Sequence, residues 1–158
     1  MTGMALYWKL IIDAAEPHAL ADFWAAALEY VVEDPGQLVA ELLRNGDLPD
    51  SATVIHVGTR RFAELAAVRH PDDPFDPFSG AGRGRRILFQ AVPERKTAKT
   101  TKNRLHIDVH DSERPLEDLA RKLELLGATR VELVDQGPAG TWWVMRDPEG
   151  NEFCAVGA

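Results

Sequence analysis

Cysteine is nearly missing from this chain: Cys154 is the single thiol among 158 residues. One cysteine excludes an internal disulfide and a multi-cysteine zinc site, and it fits a reducing compartment. Long apolar runs are missing too, since none approaches the roughly 20 residues that a membrane span requires. The opening Met1-Thr2-Gly3-Met4-Ala5 lacks the charged, then apolar, then small-residue order of an export signal. The expectation is therefore a cytoplasmic protein with no membrane partner. Basic excess is absent as well, because 18 Lys and Arg stand against 25 Asp and Glu, for a formal net charge of −7. Neutralising phosphates takes a basic surface, so no nucleic-acid partner is expected. A phosphate-cradling glycine loop is also lacking. Gly80-Ala81-Gly82-Arg83-Gly84 alternates its glycines but does not lead from a strand into a helix, so its expected role is loop flexibility.

What is present is ordinary for a globular domain, with 45% hydrophobic and 27% charged residues. That composition excludes wholesale disorder, and the length suits one domain that buries roughly 70% of its unfolded surface. Basic residues gather at Arg83, Arg85, Arg86, Arg95, Lys96, Lys99, Lys102 and Arg104. They read most simply as a solvated connector kept extended by its charge.

Two stretches of the chain follow one plan. The run Leu6 to Asp13 is rich in aromatic and β-branched residues and reads as a mostly buried strand. Glu16-Pro17 then opens a helix whose apolar face is Leu20, Phe23, Trp24, Ala27 and Leu28. The order returns with a strand from Arg104 to His110, a polar turn at Asp111-Ser112-Glu113, and Pro115 before a second helix. That helix carries Leu116, Leu119, Ala120, Leu123 and Leu126 and stops at Gly127. Strands Arg130–Val134, Thr141–Arg146 and Asn151–Val156 complete a βαβββ unit. In the first copy, strands are expected at Thr53–Val57, Phe62–Arg69 and Arg86–Val92. An added helix over Gly36–Pro49 and a long loop at His70–Gly84 interrupt the pattern, and such insertions usually line or cover a site. The expected organisation is one α+β domain, 1–158, with module one at 5–92, a linker at 93–102 and module two at 103–158.

The densest signal lies at the C-terminus. Thr141–Arg146 meets the turn Asp147-Pro148-Glu149-Gly150 and re-emerges as a strand, a hairpin in which Pro148 presets φ and Gly150 supplies the positive φ. Alternation then points Glu152, Cys154 and Val156 one way and Phe153 and Ala155 the other. A solvated Glu beside a buried Cys is the plain explanation; the floor of a polar cavity is the sharper one.

Three places together, the strand with Glu16-Pro17 and the Phe23-Trp24 helix, Asn103 to Val109, and Trp143 to Val156, resemble the glyoxalase, bleomycin-resistance and extradiol dioxygenase superfamily, the vicinal oxygen chelate fold. The actinobacterial glyoxalase-like proteins are the most similar group. The resemblance implies an eight-stranded curved mixed sheet of two βαβββ modules around a small-molecule cavity. It also implies one divalent metal ion (Zn, Mn, Fe or Ni) held by side chains from the first and last strands of each module. At those positions this chain has Lys9, Gln90, His106 and Cys154, with Glu152 two residues earlier on the same face. An ammonium has no lone pair and cannot ligate, so Lys9 breaks the set. The ligands that the resemblance leaves are His106, Gln90 and Glu152, or Cys154 in place of Glu152.

Two function classes stay open. In the first, the chain acts on a small oxygenated metabolite as a lyase, isomerase or dioxygenase relative. Glu152 and His106 then move protons and Lys9 anchors charge, while Asp13, Asp108, His110, Trp143 and Cys154 contact the ligand. His106, Asp108 and His110 share a strand face at about 6.6 Å spacing, near enough for the first two to reach one ion or ligand. A polar face bordering water is the plain alternative. In the second, the chain sequesters a drug or metabolite without chemistry, as in the bleomycin-resistance branch, its acidic charge favouring cationic ligands. A homodimer is expected from the resemblance.

Overall fold

The computed structural model describes residues 5–94 and 102–158. Most of the expected linker therefore lies outside the described residues. The described residues form ten strands and three α-helices. Strands β1 (Leu10–Ala14), β2 (Val31–Val32), β5 (Leu65–Arg69) and β6 (Arg86–Ala91) form one sheet in the order β1-β6-β5-β2. A second sheet has β7 (Asp108–His110), β8 (Thr129–Asp135), β9 (Thr141–Arg146) and β10 (Glu152–Val156) in the order β7-β10-β9-β8. Each sheet pairs its first and last strands in parallel and the rest antiparallel. The duplication legible in the sequence is thus a repeated strand order. It is distributed over two four-stranded sheets, each flanked by a helix.

Helix α1 (Pro17–Leu28) and helix α3 (Leu116–Leu126) occupy equivalent places with unequal burial. In α3 only Leu119, Ala120 and Leu123 are buried, on one stripe. In α1, Leu20, Ala21, Phe23, Trp24, Ala25 and Ala27 are all buried, because the helix packs against sheet one and also meets sheet two. Phe153 of β10 lies 5.2 Å from the Trp24 ring and 6.2 Å from Phe23, centroid to centroid. One continuous core results, running from Val68 and Phe89 through α1 to Val109, Met145 and Phe153.

The insertion in module one is the expected helix α2 (Gly36–Asn45), ended by Gly46 at φ 76°, followed by a β3 (Thr53–His56) and β4 (Thr59–Phe62) hairpin. The single strand expected over Phe62–Arg69 is broken at Ala63-Glu64. Phe62 closes the hairpin against Thr53, whereas Leu65 begins pairing with Gln90. A buried ion pair fastens the insertion to sheet one. Glu33 accepts from Arg86 Nε at 2.6 Å and Nη2 at 2.8 Å and from the Gly82 amide at 2.7 Å, and Arg61 donates to the Glu33 carbonyl at 3.0 Å. The glycines between 80 and 84 serve close approach. A Cβ on Gly80, at φ 74°, would collide with the Asp34 carbonyl, and one on Gly82 would come within 2.9 Å of the Arg69 Cβ.

Two expected first strands are shorter than the sequence indicated. Residues 5–9 lie outside β1 and are exposed, and residues 102–107 lie outside β7. Leu6, Tyr7 and Trp8 are apolar enough to read as strand. The sheet, however, offers partners only from Leu10 onward, where Ile87 begins the register.

Candidate functional site

The edge strand β1 of sheet one and the segment leading into β7 of sheet two border a hollow of about 340 Å³. Leu10, Ile12, Trp24 and Ile107 make its apolar side; Asn103, Arg104, His106, Asn151 and Glu152 make its polar side. The volume lies at the lower end for small-molecule sites, and few polar groups against an apolar wall is the usual composition of such sites. His106 and Glu152, far apart in sequence, face the same space.

The polar side is fixed by a network that starts in the C-terminal turn. Asp147, 3% exposed, accepts from the Trp24 indole at 3.1 Å and, through Oδ1, from the amides of Glu149 and Asn151 at 2.9 Å each. The Asn151 side chain donates to Asp147 and accepts from Asn103 Nδ2 at 3.4 Å. The Asn103 amide donates to Glu152 Oε2 at 3.1 Å. Glu149 reaches the other module and accepts from the amides of Ala15 and Glu16 at 2.6 and 3.0 Å. It thereby covers the start of α1, where no local side chain caps the helix and orphan amides need an acceptor. The turn that looked like the border of a chemical face is a clasp between the two halves.

Beside the hollow, His106 Nε2 lies 3.4 Å from Asp108 Oδ1, and one ligand atom each of His106, Asp108 and Cys154 falls within 4.8 Å of the others. Cys154 and Asp108 are register partners across β10 and β7, so their side chains share a face. Burial, then the Asp108 charge and a hydrogen bond to its carboxylate, push the Cys154 thiol above its ordinary range. A protonated thiol beside a carboxylate is a donor and a poor nucleophile.

The remaining sequence-predicted residues lie elsewhere. Lys9 precedes β1 and is exposed. Asp13 and Gln90 face each other across β1 and β6, and neither is among the residues that line the hollow. His110 is exposed on β7 and borders a separate groove with Asp111 and Arg114. Trp143 pairs with Ala155, on the opposite face from Cys154. Its indole donates to Glu117 Oε1 at 2.7 Å, and Arg130 stacks over the ring at 4.8 Å. The four-ligand metal centre that the fold implies does not fit this chain, because the first module places an ammonium and an amide at the ligand positions. Sequence reasoning passed over Trp24, Asn103 and Asn151 as site residues. Trp24 read as pure core, and only the helix end of the hollow makes it lining as well.

The glyoxalase-like domain family matches residues 9–156. The chain belongs to that family. Among solved structures, this glyoxalase-like chain is similar to the fosfomycin resistance protein FosX from Mesorhizobium loti, at 8% identity over 98% of this chain and 92% of that one, with a TM-score of 0.56. A glyoxalase/bleomycin resistance protein/dioxygenase family enzyme from Burkholderia phytofirmans is similar at 13% identity over 94% and 95%, with a TM-score of 0.56. A mutant FosX from Listeria monocytogenes, complexed with Mn(II) and 1S,2S-dihydroxypropylphosphonic acid, is similar at 7% identity over 98% and 90%, with a TM-score of 0.54. At such identities the likeness concerns the fold. No curated protein matches the glyoxalase-like chain in sequence.

Proposed function

We propose that the hollow binds a small oxygenated metabolite whose apolar body rests on Leu10, Ile12, Trp24 and Ile107. Its oxygens then meet Asn103, His106 and Glu152, the last two as the acid–base pair of an isomerase- or lyase-type proton transfer. The observation that carries this reading is the convergence of His106 and Glu152 on one space walled by the other module. Proton transfer by such groups needs hydrogen-bond reach to the reacting atom and no bound ion. Lys9 has no part in the proposal, because it is exposed and precedes the strand. No helix of the described residues is long and apolar enough to cross a membrane. A cytoplasmic homodimer completes the reading: Leu6, Tyr7, Trp8 and Leu105 are 92, 63, 80 and 80% exposed, and light scattering of the purified protein reads the mass directly.

Sequestration without chemistry is the second reading, favoured by the openness of His106, 47% of whose side chain is exposed. Thermal-shift and calorimetric screening of hydroxy acids, oxo acids, phenols and cationic drugs tests binding, since a ligand that prefers the fold raises its apparent stability. Leu10→Trp should fill the hollow and abolish a hit's binding, and Glu152→Gln should weaken it by about tenfold. A hit unaffected by either change defeats the proposal. For a ligand that passes, turnover lost in His106→Ala with binding kept identifies catalysis, and binding with no product identifies sequestration.

A further inference from the structure

We infer that module one holds a second binding cavity, suited to a small 2-hydroxycarboxylate, in which Arg61 takes the carboxylate and His18 the hydroxyl. The space measures about 150 Å³ and lies between sheet one and the insertion that interrupts the first module. Leu38 of α2, Phe62 of β4, and Leu65, Ala67 and Leu88 of sheet one make its apolar walls. It shares no described lining residue with the hollow between the modules. That volume equals about five waters, which suits an acid of about four or five carbons.

The observation that carries the inference is a buried cation without a counter-ion. Arg61 is 9% exposed, and among the described residues its guanidinium meets only neutral oxygens. Nε and Nη2 donate to the Thr59 hydroxyl at 3.3 and 3.1 Å, and Nη1 donates to the Glu33 carbonyl at 3.0 Å. A guanidinium carries five N–H groups, so two are left over. The nearby Glu33 carboxylate is committed to Arg86 and the Gly82 amide, a pair that is balanced in charge without Arg61. Burying a charge with no partner is costly. An entering carboxylate supplies the missing charge and accepts from the leftover N–H groups.

His18, which also lines the cavity, fixes the second point. Its Nε2 lies 2.8 Å from the Phe62 carbonyl. That oxygen only accepts, so in the neutral ring Nε2 carries the hydrogen and Nδ1 a lone pair. Nδ1 is buried with no partner among the described residues. Burial keeps the ring neutral, and Arg61 is close enough for its charge to act in the same direction. A buried acceptor left unmet costs free energy that a ligand hydroxyl recovers. A carboxylate and a hydroxyl donor on adjacent carbons, with a short apolar tail, satisfy the cation, the lone pair and the apolar walls together.

Calorimetry and thermal shift of the full chain with 2-hydroxybutyrate, butyrate and 1,2-butanediol test the inference. The hydroxy acid should bind at one site per chain. Butyrate, which lacks the hydroxyl, should bind about fivefold more weakly, and 1,2-butanediol, which lacks the charge, about thirtyfold more weakly. Arg61→Gln should weaken the hydroxy acid by about thirtyfold. His18→Phe should erase its advantage over butyrate, a ratio that a merely structural loss would leave intact. Leu10→Trp and Glu152→Gln, which act on the hollow, should each change it by less than about twofold. A hydroxy acid lost in Arg61→Gln and kept in Leu10→Trp belongs to this cavity and is no test of the hollow. Where Arg61→Gln does not fold, the three probes on the unaltered chain decide. No binding of the hydroxy acid, a diol that binds as tightly, an affinity indifferent to Arg61→Gln, or its loss in Leu10→Trp would each overturn the site. The last result would leave the metabolite proposal standing.

Discussion

The two sheets share one strand order and differ in what that order is used for. Sheet one carries an insertion, locked on by the buried Glu33–Arg86 pair, and its candidate site positions hold Lys9, Asp13 and Gln90, none of which lines the described hollow. Sheet two has no such insertion and gathers His106, Asp108, Cys154 and Glu152 on or beside one face. Duplication therefore repeats a backbone scaffold, because strand order and helix packing depend on apolar periodicity. It does not repeat chemistry, because a donor set depends on a few individual side chains. The halves are joined by α1, by Glu149 and by the Lys122–Glu29 pair at 2.9 Å, so damage to one should spread to the other through those contacts.

The largest expected effect separates the halves. Glu33→Gln leaves Arg86 without its carboxylate and should cost about 3 kcal/mol in urea unfolding. The rate at which a thiol reagent modifies Cys154, on β10 of the second sheet, should stay within about twofold; an equal loss of protection there would mean that the halves are not separable. Glu149→Ala probes the joint and should cost about 1 kcal/mol, since two amides at the start of α1 lose their acceptor. No change in the unfolding midpoint would show that water replaces the carboxylate at no cost.

A gain is expected in module one at the β3–β4 turn, where Val57 has φ 47° and Gly58 φ 76°. A β-branched residue is strained there and Asn-Gly is the favoured pair. Val57→Asn should raise stability by roughly 0.5 kcal/mol, and a lower melting temperature would refute the turn geometry. The smallest effect concerns pH. Burial holds His18 below its ordinary pKa, assisted by the nearby His56 and Arg61 and opposed by the Phe62 carbonyl and Asp22. The unfolded chain therefore binds this proton more readily. The contribution of His18 to stability is complete above about pH 6.5 and fades as pH falls from there through the lower folded value. His18→Asn should flatten the acid side of the stability profile, and an unchanged slope would remove His18 as its source.

Much of this was legible in the residues. Apolar spacing at Leu20, Phe23, Ala27 and at Leu116, Leu119, Leu123 marks both helices, and alternation along Glu152–Val156 gives the face of β10, because periodicity is a local property of the chain. The ends of β1 and β7 were not legible, since Leu6, Tyr7 and Trp8 have strand character but, among the described residues, no neighbouring strand to pair with. Asp108 was legible as a strand-face neighbour of His106. That it stands across from Cys154 follows only from the parallel pairing of β7 with β10.

The sequence by itself determined two βαβββ units, the insertion within the first, the faces of the last strand and the absence of a competent metal ligand at position 9. Tertiary structure decided that the Asp147–Asn151 turn binds the halves together, that Trp143 turns toward Glu117, and that a three-donor cluster sits beside the hollow. The physical reason is range. Propensity and periodicity act within a few residues, whereas a site needs side chains dozens of positions apart held within a few ångströms, and only strand register and core packing supply that.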